Sequence, residues 1–154
     1  MLERGVPVGL AVDGSASNDS SNMVLEMRQA LLVHRIGTGV DRMPPSDVIK
    51  VATRGGAAVL GRDDIGVVKP GMAADFAIFD LDDIGLVGAL HDPAAAPFMS
   101  FSTGRTAYTI VNGKVVVDDG QLTTANLREI ISEGNQAAAG MLQTASARTG
   151  IRYD

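Results

Sequence analysis

Asp13 is the residue whose type and position best suit chemistry. It closes the apolar run Val6-Pro7-Val8-Gly9-Leu10-Ala11-Val12 and opens the polar stretch Gly14-Ser15-Ala16-Ser17-Asn18-Asp19-Ser20-Ser21. A short apolar run bounded by turn residues reads as a strand buried on both faces. The Asp13 carboxylate is then expected at the carboxyl end of a strand, where parallel α/β folds place ligand and catalytic groups. A hard carboxylate there suits a divalent metal, or a general base working on a metal-bound water. On position alone, a turn aspartate bonded to its own loop is the commoner case.

The other candidate ligands are few. The chain has 2 His, His34 and His91, and no Cys. That excludes disulfides, thiolate zinc sites and a cysteine nucleophile. A catalytic zinc or iron site takes about three protein ligands, mostly imidazole, more than this chain offers. His34 falls near the C-terminal end of a helical apolar stripe, as a packed or dipole-satisfying histidine. His91-Asp92-Pro93 reads as a turn feeding a helix start. Arg54 and Arg62 flank a Gly-Gly helix and are expected to tie helix to sheet. Gly37-Thr38-Gly39 lacks the strand, spacing and Lys of a phosphate loop. Asp80, Asp82 and Asp83 lack the glycine and bidentate Glu of a calcium loop and are expected in solvated turns.

The elements that must position these residues follow from periodicity. Met1 to Arg4 read as the last turn of a helix ending at Gly5, so the chain looks cut from something longer. Met23, Met27, Leu31 and His34 mark a helix that stops near Gly37-Thr38-Gly39. Pro45 suits the first position of a second helix. Gly55-Gly56 on its stripe weakens helical propensity but permits close approach to a neighbour. Gly66 to Gly71 predict a short strand and turn, and Ala74 to Asp80 a buried strand. Asn112-Gly113 between Ala107-Tyr108-Thr109-Ile110-Val111 and Lys114-Val115-Val116-Val117 predicts a type I′ hairpin. Leu127 to Ala145 carry a final helical stripe, with Asn126 and Glu129 as its capping pair.

The 154 residues, 45% hydrophobic and 20% charged, suit one ordinary soluble domain. A net charge of −5 argues against a nucleic-acid partner. No apolar run approaches a membrane span and no signal peptide is visible, so a cytoplasmic location is expected.

The run Gly9 to Met23, with Val12-Asp13-Gly14-Ser15-Ala16-Ser17-Asn18 at its centre, resembles the last barrel strand and loop of the amidohydrolase superfamily, in its branch of purine and triazine aminohydrolases. Gly66-Val67-Val68-Lys69-Pro70-Gly71-Met72-Ala73-Ala74-Asp75-Phe76 resembles the strand by which such chains return to a small β domain, and Val111-Asn112-Gly113-Lys114-Val115-Val116 its closing hairpin. Ala52 to Gly66 and His91-Asp92-Pro93 are most similar to the 8-oxoguanine deaminase group. The resemblance spans about residues 5 to 145. It implies an α/β fold: a C-terminal fragment of a (β/α)8 metal-dependent hydrolase barrel plus part of its small β-sandwich domain. Residues 1–62 would hold the last barrel strand and following helices, 63–122 part of the sandwich, and 123–154 a C-terminal helix packed back on the barrel helices or the sandwich.

In that family a His-x-His pair on the first barrel strand, further histidines on middle strands and an aspartate on the last hold the metal. Only the aspartate maps, onto Asp13, and the resemblance implies that it binds the metal and helps move the proton of the hydrolytic water. Gly14, Ser15, Ser17 and Asn18 would line the substrate pocket. The implied metal is divalent, zinc with iron as the alternative, and its remaining ligands are absent from this chain. The implied activity is deamination of guanine-like purines such as 8-oxoguanine by metal-bound hydroxide, with triazine hydrolysis as the alternative. A reading of another class is a truncated, inactive chain serving folding or assembly. Its lone barrel strand would be unpaired on both edges and its helix faces exposed. The partners implied are a purine- or triazine-like small molecule, no nucleic acid or membrane, and either a homo-oligomer or a missing N-terminal barrel half.

Overall fold

The structure, a computed structural model, describes residues 1–14, 20–100 and 104–152. A single 3₁₀ turn, Leu2–Arg4, ends at Gly5 in the left-handed conformation (φ 67), as a helix C′ residue should. Val6 to Val12 join no sheet. The apolar run foreseen as a doubly buried strand is partly exposed, Val6 included, because no neighbouring strand flanks it among the described residues.

Helix α1, Met23–Thr38, begins at Asn22, whose side-chain oxygen accepts from the amides of Val24 (3.0 Å) and Leu25 (3.3 Å). Those bonds satisfy two of the N–H groups that a helix start leaves without partners. Pro45 opens α2, Pro45–Lys50, where its missing donor costs nothing. The helix continues through a π-helical segment, Val51–Gly55, into α3, Gly56–Val59. The close approach foreseen at Gly55-Gly56 is present, and the neighbour is the Val6–Val12 run. A Cβ on Gly9 would lie 3.0 Å from the Gly56 Cα, and one on Gly55 would strike the Val8 carbonyl oxygen. The apolar stripe expected from Val48 through Val51, Ala52, Gly55 and Gly56 to Val59 and Leu60 fails at its end: Val48 is buried while Val59 and Leu60 face solvent.

The segment Gly66 to Gly71, foreseen as a strand and turn, is irregular. Gly66 (φ 84) and Gly71 (φ 87) take left-handed conformations, which interrupt any extended run. Gly66 also sits against the Thr53 carbonyl, where a Cβ would come within 3.1 Å.

The sheet is antiparallel, with β1 (Phe76–Ile78), β2 (Tyr108–Val111), β3 (Lys114–Asp118) and β4 (Gln121–Leu122) in sequence order. Asn112 (φ 48) and Gly113 (φ 79) are both positive, as a type I′ turn requires. The turn is tied back to the strand before it: the Asn112 amide donates to Asp75 Oδ1 (2.6 Å) and the Gly113 amide to the Ala74 carbonyl (3.0 Å). Asp119 (φ 46) and Gly120 (φ 70) repeat the conformation and add β4, which the sequence analysis did not foresee. A register shift between Thr109 and Ile110 bends the β2–β3 pair. β1 is not the buried strand expected, since Ala77 and Ile78 are exposed.

The core joins α1, α2 and α4 (Ala96–Met99) through Val24, Leu31, Met43, Val48, Ala95 and Phe98, with Met27, Ile49 and Phe79 against it. Helix α5, Leu127–Thr149, is capped by Asn126 and ends at Gly150 (φ 71). It was expected to pack back on the barrel helices or the sandwich. Instead none of its residues is buried, and Leu127, Ile130, Ile131, Met141 and Leu142 are exposed. Its helicity therefore rests on length, capping and backbone bonding rather than on burial. The accessible surface is 11314 Å², against about 7,400 Å² for a compact monomer of this mass. No helix among the described residues is long and apolar enough to cross a membrane.

Candidate functional site

Asp13 terminates the Val6–Val12 run in a left-handed backbone conformation, φ 62. That region is uncommon outside glycine and is tolerated best by Asn and Asp. The side chain is exposed and bonds to no other described residue. Gly14 follows, exposed and engaged in an interaction of its own. Ser15, Ser17 and Asn18 lie outside the described residues. The structure thus delivers one carboxylate at the mouth of the loop, and Asn22 anchors the loop's far end on α1.

The two histidines stand apart from this site. His34 is exposed, with Nδ1 2.7 Å from the Ala30 carbonyl one turn back in its own helix; it bonds to the helix backbone rather than packing in the core. His91 is exposed with Nδ1 3.1 Å from the Gly88 carbonyl. Asp92 Oδ1 accepts from the Ala95 amide (3.2 Å), so this tripeptide forms the turn that leads into α4. Among the described residues no three His, Cys, Asp or Glu side chains gather as a metal site. The described residues alone therefore gather no set of metal ligands around Asp13.

The remaining charged candidates are structural. Asp80 Oδ1 accepts from the Asp82 amide (2.9 Å), and Asp83 Oδ1 from the Gly85 amide (2.6 Å), the turn roles foreseen for them. Arg62 does not tie helix to sheet. It pairs two residues on with Asp64, Nε to Oδ1 at 2.8 Å and Nη2 to Oδ2 at 2.6 Å. The hydrogen bond to Arg62 holds the Asp64 carboxyl below its ordinary range, and the reciprocal bond raises Arg62.

A cavity of about 660 Å³ opens elsewhere, between the Val8-Gly9-Leu10 run, α1 and α2, with His34, Thr38 and Arg42 on its wall. It does not include Asp13, and its lining is mainly apolar, with Glu3 as its carboxylate and His34 as its imidazole. Arg42 reaches Glu3 across 3.5 Å, an exposed pair of little energetic weight.

Sequence reasoning missed Arg28. It lies four residues after Val24 and three before Leu31, on the inward face of α1, and its Nη1 donates to the carbonyls of Phe98 (3.4 Å) and Met99. The legible signal was an arginine at helical spacing between two core residues.

Comparison with known proteins bears on this arrangement. The chain is 43% identical over 138 residues to an 8-oxoguanine deaminase of Pseudomonas aeruginosa, covering 90% of this chain and 30% of that protein. It is 42% identical over 124 residues to a hydroxydechloroatrazine ethylaminohydrolase of Pseudomonas sp. strain ADP, covering 79% of this chain and 26% of the relative. An atrazine chlorohydrolase of Arthrobacter aurescens TC1, solved in complex with zinc, superposes with a TM-score of 0.79 at 36% identity, over 88% of this chain and 30% of that one. The chain thus spans about a third or less of the length of these relatives. The α/β class, as part of a (β/α)8 hydrolase barrel with a small sheet, agrees with these neighbours. The Amidohydrolase family matches residues 1–116, from the run that ends in Asp13 to the hairpin that closes on Asn112-Gly113, and the chain belongs to that family.

Proposed function

We propose that the chain is the C-terminal part of a metal-dependent amidohydrolase that removes an amino group from a guanine-like purine such as 8-oxoguanine. Residues 1–62 would contribute the last barrel strand and its helices, 63–122 part of the small β domain, and 123–154 the terminal helix. The observation that carries the reading is the 43% identity to 8-oxoguanine deaminase across 90% of the chain. In this reading the Asp13 carboxylate accepts and returns a proton during hydrolysis and is one ligand of a divalent metal, zinc by analogy with the zinc-bound neighbour. The metal would supply the Lewis acidity that activates water, and the other ligands would come from outside this chain. Gly14, Ser15, Ser17 and Asn18 would line the substrate pocket. A cytoplasmic location belongs to the same reading.

Hydrolysis of a triazine is the second reading, favoured by the 42% identity to the ethylaminohydrolase and by the likeness to atrazine chlorohydrolase. Both rings carry a displaceable substituent on a carbon flanked by ring nitrogens, amino on the purine and amino or halogen on the triazine, so one loop could serve either. Release of ammonia from 8-oxoguanine and guanine, and of amine or chloride from triazines, measured with an active polypeptide carrying this sequence, separates them. Deamination of 8-oxoguanine at a kcat/KM at least tenfold above any triazine is the expected result; triazine turnover without purine turnover overturns it.

A further inference from the structure

We propose that Arg28 and Gly104 are positioning residues: they fasten the chain on both sides of residues 100–103 to the first turns of α1, and so fix the downstream end of the loop that leaves Asp13. The proposal rests on the reading of that loop as the substrate loop.

Asn22 is the residue through which they act. Its side-chain oxygen is committed to the Val24 and Leu25 amides, so the side chain cannot swing without uncapping α1. Gly104, at φ +67, lies directly on that side chain. A Cβ there would sit 2.8 Å from Asn22 Nδ2 and 2.9 Å from Oδ1. Any larger residue would suffer both the left-handed strain and this collision. Six residues along α1, half-buried Arg28 gives Nη1 to the carbonyls of Phe98 and Met99. These belong to the end of α4, where helical carbonyls lack intrahelical partners.

The close packing at Asn22 and the hydrogen bonds of Arg28 meet the same stretch of chain at its two ends, Gly104 and Met99. Phe98 in the core would hold α4 on α1 without either. What they add is a fixed place for Asn22, four residues downstream of Asn18, and hence for the far end of the candidate loop. Geometry set in this way acts on substrate binding rather than on the reacting atoms.

The test compares Gly104→Ala, Arg28→Met and Arg28→Lys with the unaltered sequence. Amide hydrogen exchange is read at Ser20, Val24 and Leu25, with Tyr108 to Val111 as an internal reference for folding. KM and kcat are read in an active polypeptide carrying this sequence. Gly104→Ala is expected to speed exchange at Val24 and Leu25 about tenfold, as loss of a helix cap does, with the reference strand unchanged. Both Gly104→Ala and Arg28→Met should raise KM about fivefold or more and leave kcat within about twofold. Arg28→Lys, which keeps a donor, should recover most of the Arg28→Met loss. Unchanged exchange at the cap in Gly104→Ala, or a fall in kcat with KM unmoved, overturns the proposal. If the unaltered polypeptide acts on neither purines nor triazines, the reading of the loop fails, and the exchange data still decide whether the fastening exists.

Discussion

Asp13 keeps its left-handed backbone (φ 62) at a cost of order 1 kcal/mol that the surrounding chain must offset. This conformation suits a short acceptor side chain that has to leave the end of the Val6–Val12 run and turn at once into the loop. Asparagine adopts it as readily as aspartate, so Asp13→Asn keeps the shape and removes the charge and basicity. In an active polypeptide this substitution should lower kcat by about 10²–10⁴-fold, with circular dichroism unchanged. Ser17→Ala should move KM or substrate preference instead. A second residue-level expectation concerns Asp64. Its carboxyl is held low by the Arg62 hydrogen bond, so the pair's contribution is fully present above the ordinary aspartate range and is lost as pH falls through the lowered value. A carboxyl NMR titration should place Asp64 below the ordinary aspartate range, and Arg62→Gln should return it toward that range. Both side chains are about half exposed, so the melting temperature should hardly respond.

Among the elements, the hairpin makes the sharpest demand on sequence. Gly113 stands at φ 79, which a β-branched residue resists, so Gly113→Val should destabilise the sheet by on the order of 1–2 kcal/mol. Thermal unfolding should register it while any metal or substrate affinity stays as it was. Features that depend on adjacent residues were legible in the sequence: the Asn112-Gly113 turn, the Asn126 cap, Pro45 at a helix start, the Gly5 stop. Those that depend on distant partners were not. Gly66 to Gly71 carry strand-forming residues, yet Gly66 is left-handed and lies where a Cβ would crowd Thr53 and Ala57. The α5 stripe has the right period but meets no face to cover it. The Asp119-Gly120 turn was readable by the rule that found Asn112-Gly113, and was missed because only two residues of strand follow it. At the candidate site, Asp13 was legible as the boundary between an apolar run and a polar loop. The place of Arg28 on the inward face of α1 was readable from its spacing, but its partners were not, because they are backbone carbonyls seventy residues away.

For the whole molecule, exposed apolar surface is the dominant property. Leu25, Val33, Ile36 and Leu60 in the helical half, and Ile130, Met141 and Leu142 on α5, all face solvent, and Val6 to Val12 present strand-forming backbone that no sheet takes up. Such surfaces drive association. Light scattering on this polypeptide should show a mass above 16.0 kDa that rises with concentration, and a strictly monomeric, concentration-independent value would contradict it. The same open surface bears on calorimetry. An unfolded chain of this mass exposes about 23,000 Å², so folding removes about 12,000 Å² from water here, against about 16,000 Å² in a compact monomer. Heat-capacity increments and denaturant slopes scale with that area. Unfolding of the polypeptide on its own should accordingly be broad and shallow, with a heat-capacity step about three-quarters of that of a compact domain of equal size, and it should sharpen when a companion surface covers the apolar faces.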